Sequence, residues 1–308
     1  MHIKSTFILD TLEVFKNATQ GFFEDNAMKK SASLAYYTLF SLAPLLLIIL
    51  WLISFFLGEQ SVEHKVFAEI SDILGADATR QIQEIIQKMR LNNKSGIGIV
   101  MGIGTLMVGA TTVFVEIQDS LNSIWRVKSK PKQGWKKLLI DRVLSFSIVI
   151  GLGFLLIVSL IVNGLILILN TYINRLLPDF GTVLISLINS GISFIIISVL
   201  FGVIFKFLPD VRIKWRYVRS GAVFTALLFI LGKYLIGLYL QYAAPESAYG
   251  AAGSIIIILL WIYYTAAILY FGAEYTKAYA EKYASAISPS AYAVKTSENP
   301  SLNKDKPS

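Results

Sequence analysis

Long apolar segments alternate with short charged segments along this chain. Six of the apolar segments contain few or no charged residues, and each is longer than the roughly 20 residues that a helix needs to cross a hydrocarbon core about 30 Å thick. The pattern therefore predicts six membrane helices. They span about 34–57, 96–117, 143–170, 182–205, 219–241 and 251–277.

The segments between and beside these helices complete the predicted fold class, an all-α polytopic membrane bundle over residues 31–283. In the 58–94 loop, one apolar stripe begins at Val66 and a second begins at Ala78, which predicts a helical hairpin outside the membrane. Residues 284–308 are polar and rich in Pro and Ser, so we expect a disordered cytoplasmic tail.

Residues 1–30 have the pattern of an amphipathic helix. Apolar residues such as Leu12, Phe15 and Phe22 recur at helical spacing among charged residues. Two interpretations stay open for this cytoplasmic segment. It lies on the surface of the bilayer, or it packs on the protein's own loops.

The composition supports a membrane protein and its charge sets the orientation. Hydrophobic residues make up 55% of the chain and charged residues 16%, with a net charge of +8. The 116–142 loop is rich in Lys and Arg, whereas 241–253 has neither, so the positive-inside rule predicts that both termini are cytoplasmic. The expected partners are membrane lipids, including anionic head groups at the basic loops, and no nucleic acid is expected.

Several kinds of chemistry are disfavoured by residue counts. The chain has no cysteine and only two histidines, His2 and His64, both outside the predicted spans. These counts disfavour a Cys nucleophile, a His-based metal centre and a Ser-His-Asp triad. No phosphate-binding loop of the G-x-x-x-x-G-K-[ST] type occurs. We therefore expect no metal, no cofactor and no enzyme activity.

Polar residues near the predicted spans are the candidate functional positions, because charges at membrane depth are costly unless paired or solvated. Glu116, Asp119 and Asn122 share one helical stripe, and Arg126 follows one turn later. Glu274 and Arg142 are predicted at similar depth. Three interpretations stay open for these six residues: a structural ion-pair network, a path for a substrate or protons, and a metal site.

Three further polar residues fall inside predicted spans. Lys233 either extends its long side chain toward the outer surface or faces the interior, where it would suit an anionic head group. Asn163 and Asn189 are candidates for hydrogen bonds between helices or for the same polar path.

Five separated sequence blocks resemble the YihY/BrkB family of bacterial inner-membrane proteins, from about residue 23 to 283. The blocks are SASLAYYTLFSLAPLLL, VEIQDSLNSIWRV, FLPD, RSGA and YGAAGSIIIILLWIYYTAAILYFGAEYTKAYA. The resemblance implies a multi-pass protein of the bacterial plasma membrane. Beyond Asn122 and Glu274, it points to the motif positions Tyr36, Ser41, Pro44, Trp125, Tyr249, Gly250, Trp261 and Gly272. Pro44 is also expected to kink its helix.

Three functions are weighed. The leading expectation is a transporter or exporter of a lipid or an amphipathic anionic substrate, which fits proposals of lipid export for family members. The alternative is a membrane scaffold that maintains the envelope without transport. The third is a ribonuclease, a label that family members have carried, but the dispersed carboxylates and scarce histidines do not support it. The oligomeric state stays open.

Overall fold

A computed structural model describes residues 2–57, 112–129, 181–243, 251–283, 287–290 and 293–296, with some helical residues between 67 and 87. Most of these residues lie in helices. The helices are α1 (His2–Glu24), α2 (Ala27–Leu57), α3 (described over 112–124), α4 (Gly181–Phe207), α5 (Trp215–Ala243) and α6 (Ala251–Tyr283).

Three of the described helices are long and apolar enough to cross a membrane. Their spanning segments are Ser190–Phe207 in α4, Trp215–Tyr239 in α5 and Ile255–Tyr283 in α6. They correspond to the predicted spans at 182–205, 219–241 and 251–277. The predicted first span is helical within α2. Most of the predicted second span and all of the third lie outside the described residues.

Helix α6 lies at the centre of the described bundle, packed against α1, α2 and α5, while α4 packs on the other side of α5. Ala266, Ala273 and Ala280 recur every seven residues on α6 and are buried. Without a hydrophobic driving force between helices in lipid, small side chains favour association because they let backbones approach closely. This alanine stripe therefore allows a neighbouring helix to approach that face of α6 closely.

The α5–α6 contact rests on a reciprocal pair of glycines and threonines. A Cβ added at Gly221 would collide with Thr276 of α6, and one added at Gly272 would collide with Thr225 of α5. Each threonine hydroxyl donates to the carbonyl four residues earlier in its own helix, Thr225 to Gly221 and Thr276 to Gly272. Their polar groups are thus satisfied locally, and their side chains fill the space that the opposite glycine leaves.

Helix α1 packs against α6. Val14 and Ala18 of α1 are buried with Ala278 of α6. At the edge of this contact, the Lys282 ammonium lies 2.8 Å from Asp10 Oδ1 and 2.5 Å from Glu13 Oε2. One face of the predicted amphipathic helix is therefore covered by a membrane-spanning helix of the same chain.

Replacing Lys282 with alanine is expected to change stability little, despite these two ion pairs. Glu13 is 61% exposed, and exposed pairs contribute about 0.2–1 kcal/mol because water and salt screen them. Reversible unfolding in mixed micelles at low and high salt would measure the effect. A loss above about 2 kcal/mol would contradict this interpretation of a surface pair.

Two small antiparallel sheets join the end of the chain to the loops. Strand β1 (Val127–Ser129) pairs with β4 (Ala293–Lys295), and β2 (Val211–Arg212) pairs with β3 (Ser288–Pro289). Ala293 is buried in the main core. The expectation of a disordered tail is therefore wrong for 287–290 and 293–296, because backbone pairing and one buried side chain hold them in place. Residues 297–308 lie outside the described part.

The predicted hairpin between the first two spans is described only in fragments. Residues 79–84 and 86–87 are helical, and Ile82 and Ile86 are buried. Both belong to the second apolar stripe of the predicted hairpin. The turn of that hairpin lies outside the described residues.

Candidate functional site: a buried charge cluster

A carboxylate in the turn between α1 and α2 is the centre of a charge cluster. The Asp25 side chain is 3% exposed, and its Oδ1 lies 2.9 Å from Nη2 of Arg126, which follows α3. Its Oδ2 lies 3.8 Å from the Lys277 ammonium of α6. The turn is tight because Asn26 has a positive φ of 52°, a conformation that asparagine tolerates better than most residues. Asp25 thus connects the turn between α1 and α2 to the end of α3 and to α6.

Glu274 adds a second buried carboxylate. Its side chain is 2% exposed, and its Oε2 lies 3.5 Å from the Lys277 ammonium, so Lys277 is shared between two acids. A Cβ added at Gly21 of α1 would lie 2.5 Å from Glu274 Oε2, so glycine is required for α1 to approach this carboxylate. Within the described part of the chain, Asp25 Oδ2 and Glu274 Oε1 receive no hydrogen bond. Asp25 Oδ2 therefore relies on the Lys277 ammonium, whereas Glu274 Oε1 is a buried acceptor without a partner among the described residues.

Lys30 extends the cluster toward α3. Its ammonium donates to the Ser123 hydroxyl at 2.9 Å. Burial lowers the pKa of Lys30, and the negative charges of Asp25 and Glu274 oppose that shift. Lys30 therefore belongs to the electrostatic environment of both carboxylates, although it donates to a neutral group.

Arg126 is fixed by its backbone as well as by Asp25. It has a positive φ of 54°, in the left-handed region that non-glycine residues seldom adopt. Its N–H donates to Ser123 O at the end of α3, and its carbonyl accepts from the N–H of Thr296, just after β4. The ordered tail thus helps to hold the residue that pairs with Asp25.

Next to the cluster, Asn122 ties α3 to the loop between α4 and α5. Its amide nitrogen donates to Asp210 Oδ2 at 3.0 Å, and its amide oxygen accepts from the Asp210 N–H at 2.7 Å. Asn122 is buried, so this two-point contact satisfies polar groups that would be costly alone. It fixes α3 against the loop that carries β2.

An open cleft of 450 Å³ lies beside the cluster. It is formed by the end of α3, β1 and the residue after β4. The lining residues are Asp119, Asn122, Ser123, Arg126, Val127, Lys128 and Thr296. Arg126 is 43% exposed on its side chain, so it belongs both to the buried cluster and to the cleft.

The structure brings together only some of the residues selected from the sequence. Asn122, Arg126 and Glu274 lie in or beside the cluster. Glu116 is half-buried on α3 and Asp119 is exposed, so the predicted stripe is not uniformly buried.

Lys233 is exposed on α5 among exposed apolar residues. Whether its side chain extends toward the outer surface of the membrane stays a prediction. Arg142, Asn163, Tyr249 and Gly250 lie outside the described residues. Asn189 and Pro44 lie within α4 and α2, but their side chains are outside the description.

Three members of the cluster were missed by sequence reasoning: Asp25, Lys30 and Lys277. Asp25 and Lys30 precede the predicted first span and Lys277 is the last residue of the predicted sixth span, positions at which charged residues are usually solvated. A usable signal existed at Asp25, because Asp-Asn between two helical patterns predicts a tight turn. That signal indicates a turn but does not indicate a buried acid.

The described motif positions are mainly packing residues. Ser41 and Trp261 are buried. The Trp261 ring lies edge-on to Phe229 and is stacked on Tyr264. Trp125 is also buried in the main core. Tyr36 is exposed, with its ring against Phe40. Gly272 makes the α5–α6 contact described above.

Comparison with known proteins identifies the family. The model of the family described as "Virulence factor BrkB" matches residues 18–295, which includes every element from the end of α1 to β4. The chain belongs to this BrkB family. The resemblance inferred from the five blocks is confirmed, and the match continues past residue 283 to the end of β4.

Curated relatives of this BrkB-family chain are described as UPF0761 membrane proteins. The one from Psychromonas ingrahamii is 30% identical over 262 residues, covering 82% of each chain. A relative from Alteromonas mediterranea is 29% identical, and the match covers 82% of this chain and 83% of the relative's length. One from Pseudomonas aeruginosa is 29% identical, covering 86% of this chain and 62% of its own. No solved structure matches. The chain is a multi-pass integral membrane protein.

Proposed function

We propose that this protein is a membrane transporter or exporter of a lipid or another amphipathic anionic substrate, and that the charge cluster is its gate. The observation that carries the proposal is the burial of Asp25 and Glu274 together with Lys277 where α1, α2, α3 and α6 meet. Charges removed from water cost several kcal/mol each unless they are well paired. Such groups in membrane proteins commonly mark pathways for substrates or ions.

The connections of the cluster support a role as a gate. Asp25 bridges Arg126 of one segment and Lys277 of another, so the two ion pairs join parts of the chain that are distant in sequence. Arg126 also lines the open cleft, where an anionic group would compete with Asp25 for the guanidinium. Breaking the Arg126–Asp25 pair would remove one of the contacts that hold the start of α2 near the end of α3, which the Lys30–Ser123 hydrogen bond also joins.

Reconstitution into vesicles tests the proposal. Fluorescent phospholipids should cross vesicles that contain the purified protein faster than empty vesicles. Arg126→Gln should change that rate by at least about tenfold, which corresponds to about 1.4 kcal/mol in the barrier. Lys214→Gln is the matched control, because Lys214 is exposed near the same end of the bundle and does not line the cleft. Equal rates with and without protein, across zwitterionic and anionic lipids, would refute the proposal.

A second candidate, the scaffold without transport, is favoured by a specific observation. Lys233 is exposed on α5 and separate from the cluster, so the described residues do not continue the cluster into a charged path along the bundle. The scaffold predicts that neutralising the basic residues Lys130, Lys132, Lys136 and Lys137 impairs envelope integrity in cells, while Glu274→Gln leaves it intact. The opposite pattern would favour the transporter.

A further inference from the structure

Helix α1 presents three chemically different faces. Val14 and Ala18 form the first, which is buried against α6. Glu13, Asn17, Gln20 and Glu24 form the second, which is polar and exposed. At about 100° per residue, these two sets lie on separate sides of the helix.

The third face is apolar and also exposed. Leu12 is 59% exposed, Phe15 is 46% exposed and Phe23 is 63% exposed. Their spacing places them on one stripe, away from both the buried face and the polar face. A stripe of large apolar side chains in contact with water would be unfavourable by about 25 cal/mol per Å² of apolar surface.

This apolar stripe continues onto the surface of a membrane-spanning helix. The Phe15 ring lies edge-on to Phe224 of α5 and to Phe271 of α6, at 6.4 and 5.7 Å between ring centres. Phe224 is flanked on α5 by the exposed Val223 and Leu227, within the spanning segment. The stripe of α1 therefore meets a surface that faces lipid.

We infer that α1 is a membrane-interface helix whose partner is the bilayer itself, with the stripe of Leu12, Phe15 and Phe23 inserted at the boundary between head groups and acyl chains. The polar face then meets water, and the first face, formed by Val14 and Ala18, stays on α6. Such helices bury their apolar face about 5–10 Å into this boundary. Lys16 is exposed beside the stripe, where its ammonium reaches lipid phosphates.

The inference goes beyond the proposed transport and does not depend on it. Helix α1 would connect the lipid surface to the charge cluster, because α1 ends at Glu24 and Asp25 follows directly. Gly21, on the last turn, contacts Glu274. The depth of α1 in the bilayer therefore sets the positions of two residues of the cluster region: Asp25, and Gly21, which contacts Glu274.

Single-cysteine labelling tests this placement, and the chain's lack of cysteine makes it free of background. The full-length variants Leu12→Cys and Phe23→Cys would carry a bimane fluorophore in nanodiscs. Asn17→Cys is the matched control on the polar face of the same helix. Quenching would be compared between lipids brominated on their acyl chains and aqueous iodide.

Labels at 12 and 23 should be quenched by brominated lipid at least about threefold more than the label at 17, and iodide should show the reverse order. Iodide quenching of 12 and 23 equal to that of 17 would overturn the inference. So would weak quenching of 12 and 23 by both agents, because the stripe would then be covered by protein. Size-exclusion profiles of the labelled variants verify that each is folded.

Discussion

Replacing Asp25 with alanine is expected to lower the free energy of unfolding by about 3–5 kcal/mol, the usual result of removing one partner from a buried ion pair. The Asp25 side chain is 3% exposed, and its loss leaves Lys277 facing Glu274 alone and Arg126 without its carboxylate. Reversible unfolding in mixed micelles, followed by circular dichroism, measures the change.

Glu24→Ala is the control for this substitution. Glu24 precedes Asp25 in sequence, but it is exposed, and among the described residues its carboxylate accepts a hydrogen bond only from the exposed Gln20. Its loss should stay within about 0.5 kcal/mol. A double-mutant cycle between Asp25→Ala and Arg126→Ala should give a coupling of at least about 0.5 kcal/mol. Equal effects of the Asp25 and Glu24 substitutions would show that the cluster does not stabilise the fold.

Gly221→Ala and Gly272→Ala are each expected to destabilise the protein by about 1–3 kcal/mol, the usual cost of overpacking. The added Cβ would collide with a threonine side chain of the opposite helix, Thr276 or Thr225. The threonine cannot move away easily, because its hydroxyl is bound to its own helix. The same unfolding measurement applies, with crosslinking between α5 and α6 as a report on their separation.

Gly237→Ala supplies the matched control on α5. Among the described residues, no atom lies within 4 Å of a Cβ placed at Gly237. In a helix, alanine is favoured over glycine by about 1 kcal/mol, so this variant should be neutral or more stable. If Gly221→Ala is no worse than Gly237→Ala, the close α5–α6 packing is not what holds these helices together.

Charges inside apolar segments were the signals that sequence reasoning could use. Glu274 was identified because an acid next to a long apolar segment is costly to bury, and the structure places it in the cluster. Asn122 and Arg126 were identified by their helical spacing. Lys277 was missed, although it lies one turn from Glu274, because a lysine near a helix end is normally solvated. Its role depends on Asp25, which is far away in sequence.

The end of the chain shows a different limit of sequence reasoning. Residues 287–296 lack an apolar run, and composition alone predicts disorder for them. Residues 287–290 and 293–296 are ordered because β1 and β2 offer unpaired backbone groups nearby, and Ala293 fits into the core. Neither the strand partners nor the space for Ala293 is visible in a local window of sequence.

The sequence by itself determined that this is a multi-pass membrane protein, because apolar length is a local property that the bilayer selects directly. It also identified the helices at 182–205, 219–241 and 251–277. The resemblance of five sequence blocks indicated the BrkB family. Only the tertiary structure decided which charges neutralise each other. The Asp25–Arg126 pair joins the α1–α2 turn to the segment after α3, and it forms because packing brings the two charged groups to within 2.9 Å of each other.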